Sequence, residues 1–138
     1  MKHNDTEWVY SDAWAAGFFD GEGCITIDGG KLRQYSHVSV QVVQKARAPL
    51  DEFAGLFGGG VSSTQNGDKC YRWRIRGRKA VRFLEVVRPW LLVKGAQADI
   101  AFEFAKSKTK GNQKLTESQI NQRLQIIDRL KAAKKVVN

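Results

Sequence analysis

A chain of 138 residues is long enough for one domain with a true hydrophobic core. Its 42% hydrophobic and 10% aromatic content excludes a disordered polyelectrolyte, and no apolar run approaches the roughly 20 residues that span a bilayer. Lys and Arg number 23 against 14 Asp and Glu, so the net charge of +9 disfavours basic partners and favours a polyanion.

The chain opens with "MKHNDTEWVY", which has no signal-peptide apolar region. Cys24 and Cys70 are far apart and in no metal-type spacing. An intracellular, thiol-reduced protein is expected, in the cytoplasm or in an organelle. A first helix is predicted from about Thr6 to Gly21. Ala13, Gly17 and Gly21 recur every four residues and share one face. That small stripe would let another backbone approach closely, as in tight helix pairs. Trp14 and Phe18 lie on the adjacent face and are candidate core anchors. The helix ends on Asp20 and Glu22, where the partial negative charge of a helix C-terminus disfavours carboxylates unless something positive compensates.

"CITID", a turn "GGKLRQ" and "YSHVSVQVVQ" read as a β-hairpin. Val38, Val40 and Val42 alternate with Arg33, Tyr35, His37, Ser39 and Gln41, so one face is apolar and one polar. "APLDEFAGLFGGG" is a short helix with Pro49 in its first turn and glycines at its end. "VSSTQ", the turn "NGD" and "KCYRWRIRG" form a second hairpin. There Tyr71, Trp73 and Ile75 alternate with Arg72, Arg74 and Arg76. From Lys69 to Lys94 nine basic residues face one acid, Glu85, a local net of +8. No helix here sets a Trp/Leu face against lysines as a membrane-surface helix does, so the field is read as made for nucleic acid.

"RKAVRFLEVVRPWLLV" is helical up to Arg88, where Pro89 interrupts it. A fourth helix restarts at "KGAQADIAFEFAKSK", and "KTKGNQK" is a basic loop. Thr116 and Gln119 fit a capping box for a last helix with Ile120, Leu124, Ile127 and Leu130 on one face and a lysine-rich tail. The fold class is therefore α+β. Two hairpins pair into a four-stranded antiparallel sheet, helices cover its apolar face, and its open polar face suits a DNA groove. One domain spans 1–138, with a core of about 7–105 and a C-terminal basic loop and helix at 106–138.

"AAGFFDGEG" (Ala15 to Gly23) resembles the signature nonapeptide of the LAGLIDADG homing endonucleases. Gly17, Asp20, Gly21, Glu22 and Gly23 fall in its register. The likeness extends over an αββαββα core from about Glu7 to Phe104, and to "VQVVQK" and "PWLLVKGAQA", which look like segments of single-motif, homodimeric members. The first motif position is Ala15 where leucine is usual. The resemblance implies a site-specific double-strand DNA endonuclease that uses Mg²⁺ or another divalent metal such as Mn²⁺. It would cut across the minor groove and leave 3′ overhangs. It also implies that Glu22 and the backbone carbonyl of Gly21 hold the metal. Gln44 would order water around the nucleophile, and Lys94 would stabilise phosphate charge or activate solvent. Asp20 would support the motif turn. One chain carries one motif, so a homodimer packed through Ala13, Gly17 and Gly21 is expected on a palindromic or pseudo-palindromic site.

Base contacts are expected from the open sheet face. Arg72 and Arg74 suit guanine, and Gln41 suits adenine. Thr26, Asp28, Arg33, Tyr35, His37, Ser39, Ser62, Thr64 and Arg76 follow from the same alternation. A cleavage-inactive binding protein on this fold, an RNA maturase or a DNA-binding regulator, is the alternative. A generic RNA-binding domain fits less well, because the strands lack an exposed Phe/Tyr stacking pattern.

Overall fold

Helix α1 (Asp5–Glu22) passes without a loop into strand β1 (Gly23–Asp28), so both acids of the motif stand in the last helical turn. The computed structural model describes the backbone of residues 5–28, 36–64, 69–107 and 115–136, with side chains from residue 11 onward. Strand β2 (His37–Gln44), helix α2 (Ala48–Phe57), strands β3 (Gly60–Ser63) and β4 (Tyr71–Arg76) and helix α3 (Arg78–Val87) follow. A 3₁₀ turn (Arg88–Trp90), helix α4 (Gly95–Lys106) and helix α5 (Glu117–Val136) complete the order. The structure is α+β with a four-stranded antiparallel sheet in the order β1-β2-β4-β3, as the alternation implied. Both hairpin turns, the basic loop, Arg33 and Tyr35 lie outside the described residues.

The helix-to-strand junction depends on one close approach. A Cβ on Gly23 would sit 2.2 Å from Cδ1 of Phe19, whose fully buried ring packs edge-on against Phe83 at 5.0 Å. Phe53, Trp73 and Phe83 form the centre of the core, with ring centroids 4.8 to 6.0 Å apart. Trp14 and Phe18 both reach Phe53, at 5.5 and 5.9 Å, which ties α1 to α2. Trp73 donates its indole N–H to the Gly58 carbonyl at 2.9 Å, so its buried polar atom is satisfied.

The capping box is formed in both directions. The Thr116 N–H donates to Gln119 Oε1 at 2.8 Å, and the Gln119 N–H to Thr116 Oγ1 at 3.1 Å. The buried seam of α5 differs from the expected one. It runs through Arg123, Ile126 and Leu130, while Ile120, Leu124 and Ile127 are only half-buried. The cause is α4: the Arg123 guanidinium lies 5.3 Å over the Phe104 ring, which rotates the contact line toward the arginine. Arg129 also makes a two-point ion pair with Glu103 across the same helix pair.

Candidate functional site

The end of α1 carries an electrostatic conflict that its surroundings resolve. Asp20 is only 8% exposed, and its carboxylate accepts three backbone N–H groups from the segment leading into α4. Leu92 donates at 2.8 Å, Val93 at 2.9 and 3.0 Å to the two oxygens, and Lys94 at 2.8 Å. The Lys94 ammonium then donates to the Asp20 carbonyl at 2.7 Å, placing a cation at the negative end of the α1 dipole. Burial pushes the Asp20 carboxyl up, but the three N–H donors and the Lys94 charge together outweigh it and hold the group below its ordinary value.

Asp20 thus does more than shape its own turn. It anchors the segment that enters α4, taking the N–H groups of Leu92, Val93 and the N-cap residue Lys94, while no side chain caps the first turn of the helix itself. A second tie, not foreseen, steadies the same segment. Arg88 makes a bidentate pair with Asp99, both bonds 2.9 Å, and its guanidinium lies where a Cβ on Gly95 would come within 2.9 Å. The hydrogen bond from Arg88, against a smaller desolvation cost, holds the Asp99 carboxyl below its ordinary value.

Glu22, two residues beyond Asp20, is exposed and forms no ion pair with the described residues. Gln44 ends β2 at the same edge of the sheet. Gly23 is paired with Val42, so Gln44 runs past the start of β1 toward the end of α1. It has the parity of Val40 and Val42, and its backbone partner is Tyr71. Glu22, Gln44 and Lys94 therefore belong to one edge, with Lys94 fixed by hydrogen bonds and Glu22 open to solvent. A single exposed carboxylate beside the backbone carbonyls at a helix C-terminus fits a hard cation that keeps water and phosphate ligands. Among the described residues no three Asp, Glu, His or Cys side chains converge, so any metal held here draws the rest of its shell from backbone, solvent, substrate or a second chain.

The strand registers place the sheet residues. Thr26, Ser39 and Arg76 are in line, as are Cys24, Gln41 and Arg74. Asp28 stands opposite His37, and Ser62 opposite Arg72. All have the parity opposite to the buried valines, Trp73 and Ile75. Arg74, Arg76 and Ser62 are exposed, while Thr26, Asp28, His37, Gln41 and Arg72 are partly covered. Thr26 donates to Asp28 at 3.1 Å, and Arg76 lies 3.8 Å from the same carboxylate. Thr64, just past β3, spends its hydroxyl proton on the Cys70 carbonyl at 3.3 Å. Ser39 requires a correction: at 1% exposure between Thr26 and Arg76 it presents no surface to a ligand.

On α1, Ala15, Ala16 and Phe19 are fully buried, while Gly17 and Gly21 are exposed and Ala13 half-exposed. A Cβ on Gly17 or Gly21 would meet nothing within 4 Å. The small stripe has no partner within the described residues. No described helix is long and apolar enough to cross a membrane.

No protein-family model and no curated protein matches this sequence. Solved structures do match. The homing endonuclease I-CvuI, in complex with its target in the presence of 2 mM Ca, gives a TM-score of 0.77 over 94% of this chain and 85% of its own, at 22% identity. The homing endonuclease I-TnaI gives 0.67 over 92% and 97%, at 25% identity. The LAGLIDADG meganuclease I-AabMI, bound to uncleaved DNA, gives 0.66 over 84% of this chain and 43% of its own, at 23% identity.

Proposed function

With the LAGLIDADG homing-endonuclease fold as its frame, we propose that this chain is a site-specific double-strand DNA endonuclease. It works as a homodimer and hydrolyses phosphodiesters with Mg²⁺ or Mn²⁺ at a palindromic or pseudo-palindromic site, across the minor groove and with 3′ overhangs. The observation that carries the reading is an ammonium, Lys94, fixed at the Asp20 carbonyl two residues before an exposed carboxylate, Glu22, where α1 runs into an arginine-bearing sheet.

Glu22 and the Gly21 carbonyl would hold the metal, which when bound supplies positive charge for the attacking and leaving oxygens. Lys94 sets a fixed positive charge where phosphate charge grows, and the Asp20 clamp keeps it from reorganising. Gln44, at the same edge, orients solvent by hydrogen bonding. Arg72, Arg74 and Arg76 with Gln41 supply phosphate contacts and base contacts from the sheet face. The exposed stripe of Ala13, Gly17 and Gly21 lets two α1 helices approach, which brings one Glu22 from each chain to the dyad. Two facing carboxylates repel unless cations lie between them, so metal binding and pairing support each other.

The test uses a library of palindromic duplexes with Mg²⁺, and Ca²⁺ as the control. The wild type is expected to cut a subset of sites. Glu22→Gln is expected to bind the same duplexes with no detectable cutting. Unchanged cutting by that variant would overturn the role of Glu22. Tight binding by the wild type with no cutting in any divalent metal would instead establish a binding protein on the nuclease fold.

A further inference from the structure

The lysines that close α5 are a sequence feature that the endonuclease reading leaves unused. Lys134 continues the buried seam of Arg123, Ile126 and Leu130 by one more turn, so it stands on the side of α5 that packs on the rest of the chain. There its ammonium donates to Cys24 Sγ at 3.5 Å. Cys24 is on β1, opposite Gln41, which is opposite Arg74. It therefore belongs to the polar sheet face, and β1 is the edge strand on that side. Lysines in a last helical turn commonly answer the helix dipole. This one instead reaches across to a strand. Lys131 and Lys135 are exposed on α5 within one turn of Lys134. Adjacent strands lie about 4.8 Å apart, so Cys24 is about 10 Å from the β4 arginine row.

We infer that Lys131, Lys134 and Lys135 extend the DNA surface beyond the β1 edge and contact the phosphate backbone of the duplex that lies on the sheet. The inference rests on the duplex being the ligand of that face. The contact is blind to sequence. An ammonium on a flexible stem acts as a point charge, whereas the β4 arginines have the planar fork that reads base edges. The duplex is then held along the β4 row and again at the β1 margin.

Fluorescence anisotropy with a mixed-sequence 30-bp duplex, titrated over a range of salt concentrations, tests this on the full chain. Variants are Lys131→Gln/Lys134→Gln/Lys135→Gln, the pair Lys131→Gln/Lys135→Gln that spares the Cys24 contact, and the triple Lys→Arg replacement. Lys106→Gln, on α4 and outside the basic field of 69–94, is the charge-loss control. The slope of log affinity against log salt is expected to flatten by about 0.9 for each phosphate that a variant no longer neutralises. The α5 glutamine variants should flatten it, the arginine triple should restore it, and the control should leave it near the wild-type value. Equal slopes for wild type and both α5 glutamine variants would overturn the inference alone. Equal flattening by the control would overturn it too, since net charge and not position would then be responsible. A wild type with no salt-dependent binding would overturn the DNA reading of the sheet, and this inference with it.

Discussion

Asp20 bonds to three N–H groups of a distant segment, and its own carbonyl holds an ammonium. Asp20→Asn keeps the carbonyl but puts an amide NH₂ against at least one N–H donor. Charge-assisted bonds of this kind are worth about 1.5–3 kcal/mol, and stability should fall by that order. The pH dependence follows from the direction of the shift. The folded carboxyl titrates below its unfolded value, so the clamp contributes fully above the ordinary carboxylate range. That contribution is lost as pH falls through the lowered folded value. Thermal melts from pH 7 to pH 3 should show the wild type losing its advantage over Asp20→Asn as acid is added. A constant gap over that range would refute the clamp as a source of acid sensitivity.

At the scale of elements, two glycines of α1 and β1 give opposite expectations. Gly23→Ala drives a methyl into the Phe19 ring at the helix-to-strand junction. Overpacking of this kind costs about 1–3 kcal/mol, so the melting temperature should drop by several degrees. At Gly17 an added Cβ meets nothing within 4 Å among the described residues, and Gly17→Leu removes a glycine from a helix interior. Its melting temperature should hold or rise, by up to about 1 kcal/mol of helix propensity. If the proposed homodimer packs through this stripe, light scattering should nonetheless find the variant monomeric and the wild type dimeric. A dimeric Gly17→Leu would remove the stripe from the interface.

The elements themselves were legible wherever one face is buried. The two-residue alternation of β2 and β4 survives in the register, because a slip would have turned Trp73 and three valines outward. The seam of α5 was not legible. Whether an arginine is buried depends on the ring opposite it, and Phe104 lies on another helix. Of the candidate site, the motif made Glu22 visible, and the segments "VQVVQK" and "PWLLVKGAQA" made Gln44 and Lys94 visible, each as a separate residue. What joins Lys94 to α1 was hidden, because no local pattern records a bond to a carboxylate in another element. Ser39 followed the strand parity, but parity gives a face and not an exposure.

At the scale of the whole molecule, one chain offers one Glu22 for two strands. Mixing wild type with Glu22→Gln should therefore yield hybrid dimers that cut one strand. On a supercoiled plasmid carrying a cleavable site, nicked circles should accumulate as the mutant fraction rises. If one chain served both strands, the mutant would only dilute linear product and no nicked species would build up. With a net charge of +9 and an open arginine row, the proposed DNA binding should depend steeply on ionic strength, so the mixing experiment belongs at a fixed, low salt concentration.

The N–H groups of Leu92, Val93 and Lys94 meet an acceptor 72 to 74 residues earlier in the chain. Two hairpins and two helices lie within that loop, and closing it costs chain entropy that the bonds offset. These amides lie outside regular helix and strand, where deuterium exchange is ordinarily fast. Bonded to a buried carboxylate, they should exchange as slowly as the core, through opening of the two halves from each other. Their protection is thus a direct gauge of whether a molecule has its lysine in position, readable without DNA, metal or any knowledge of the cleavage site.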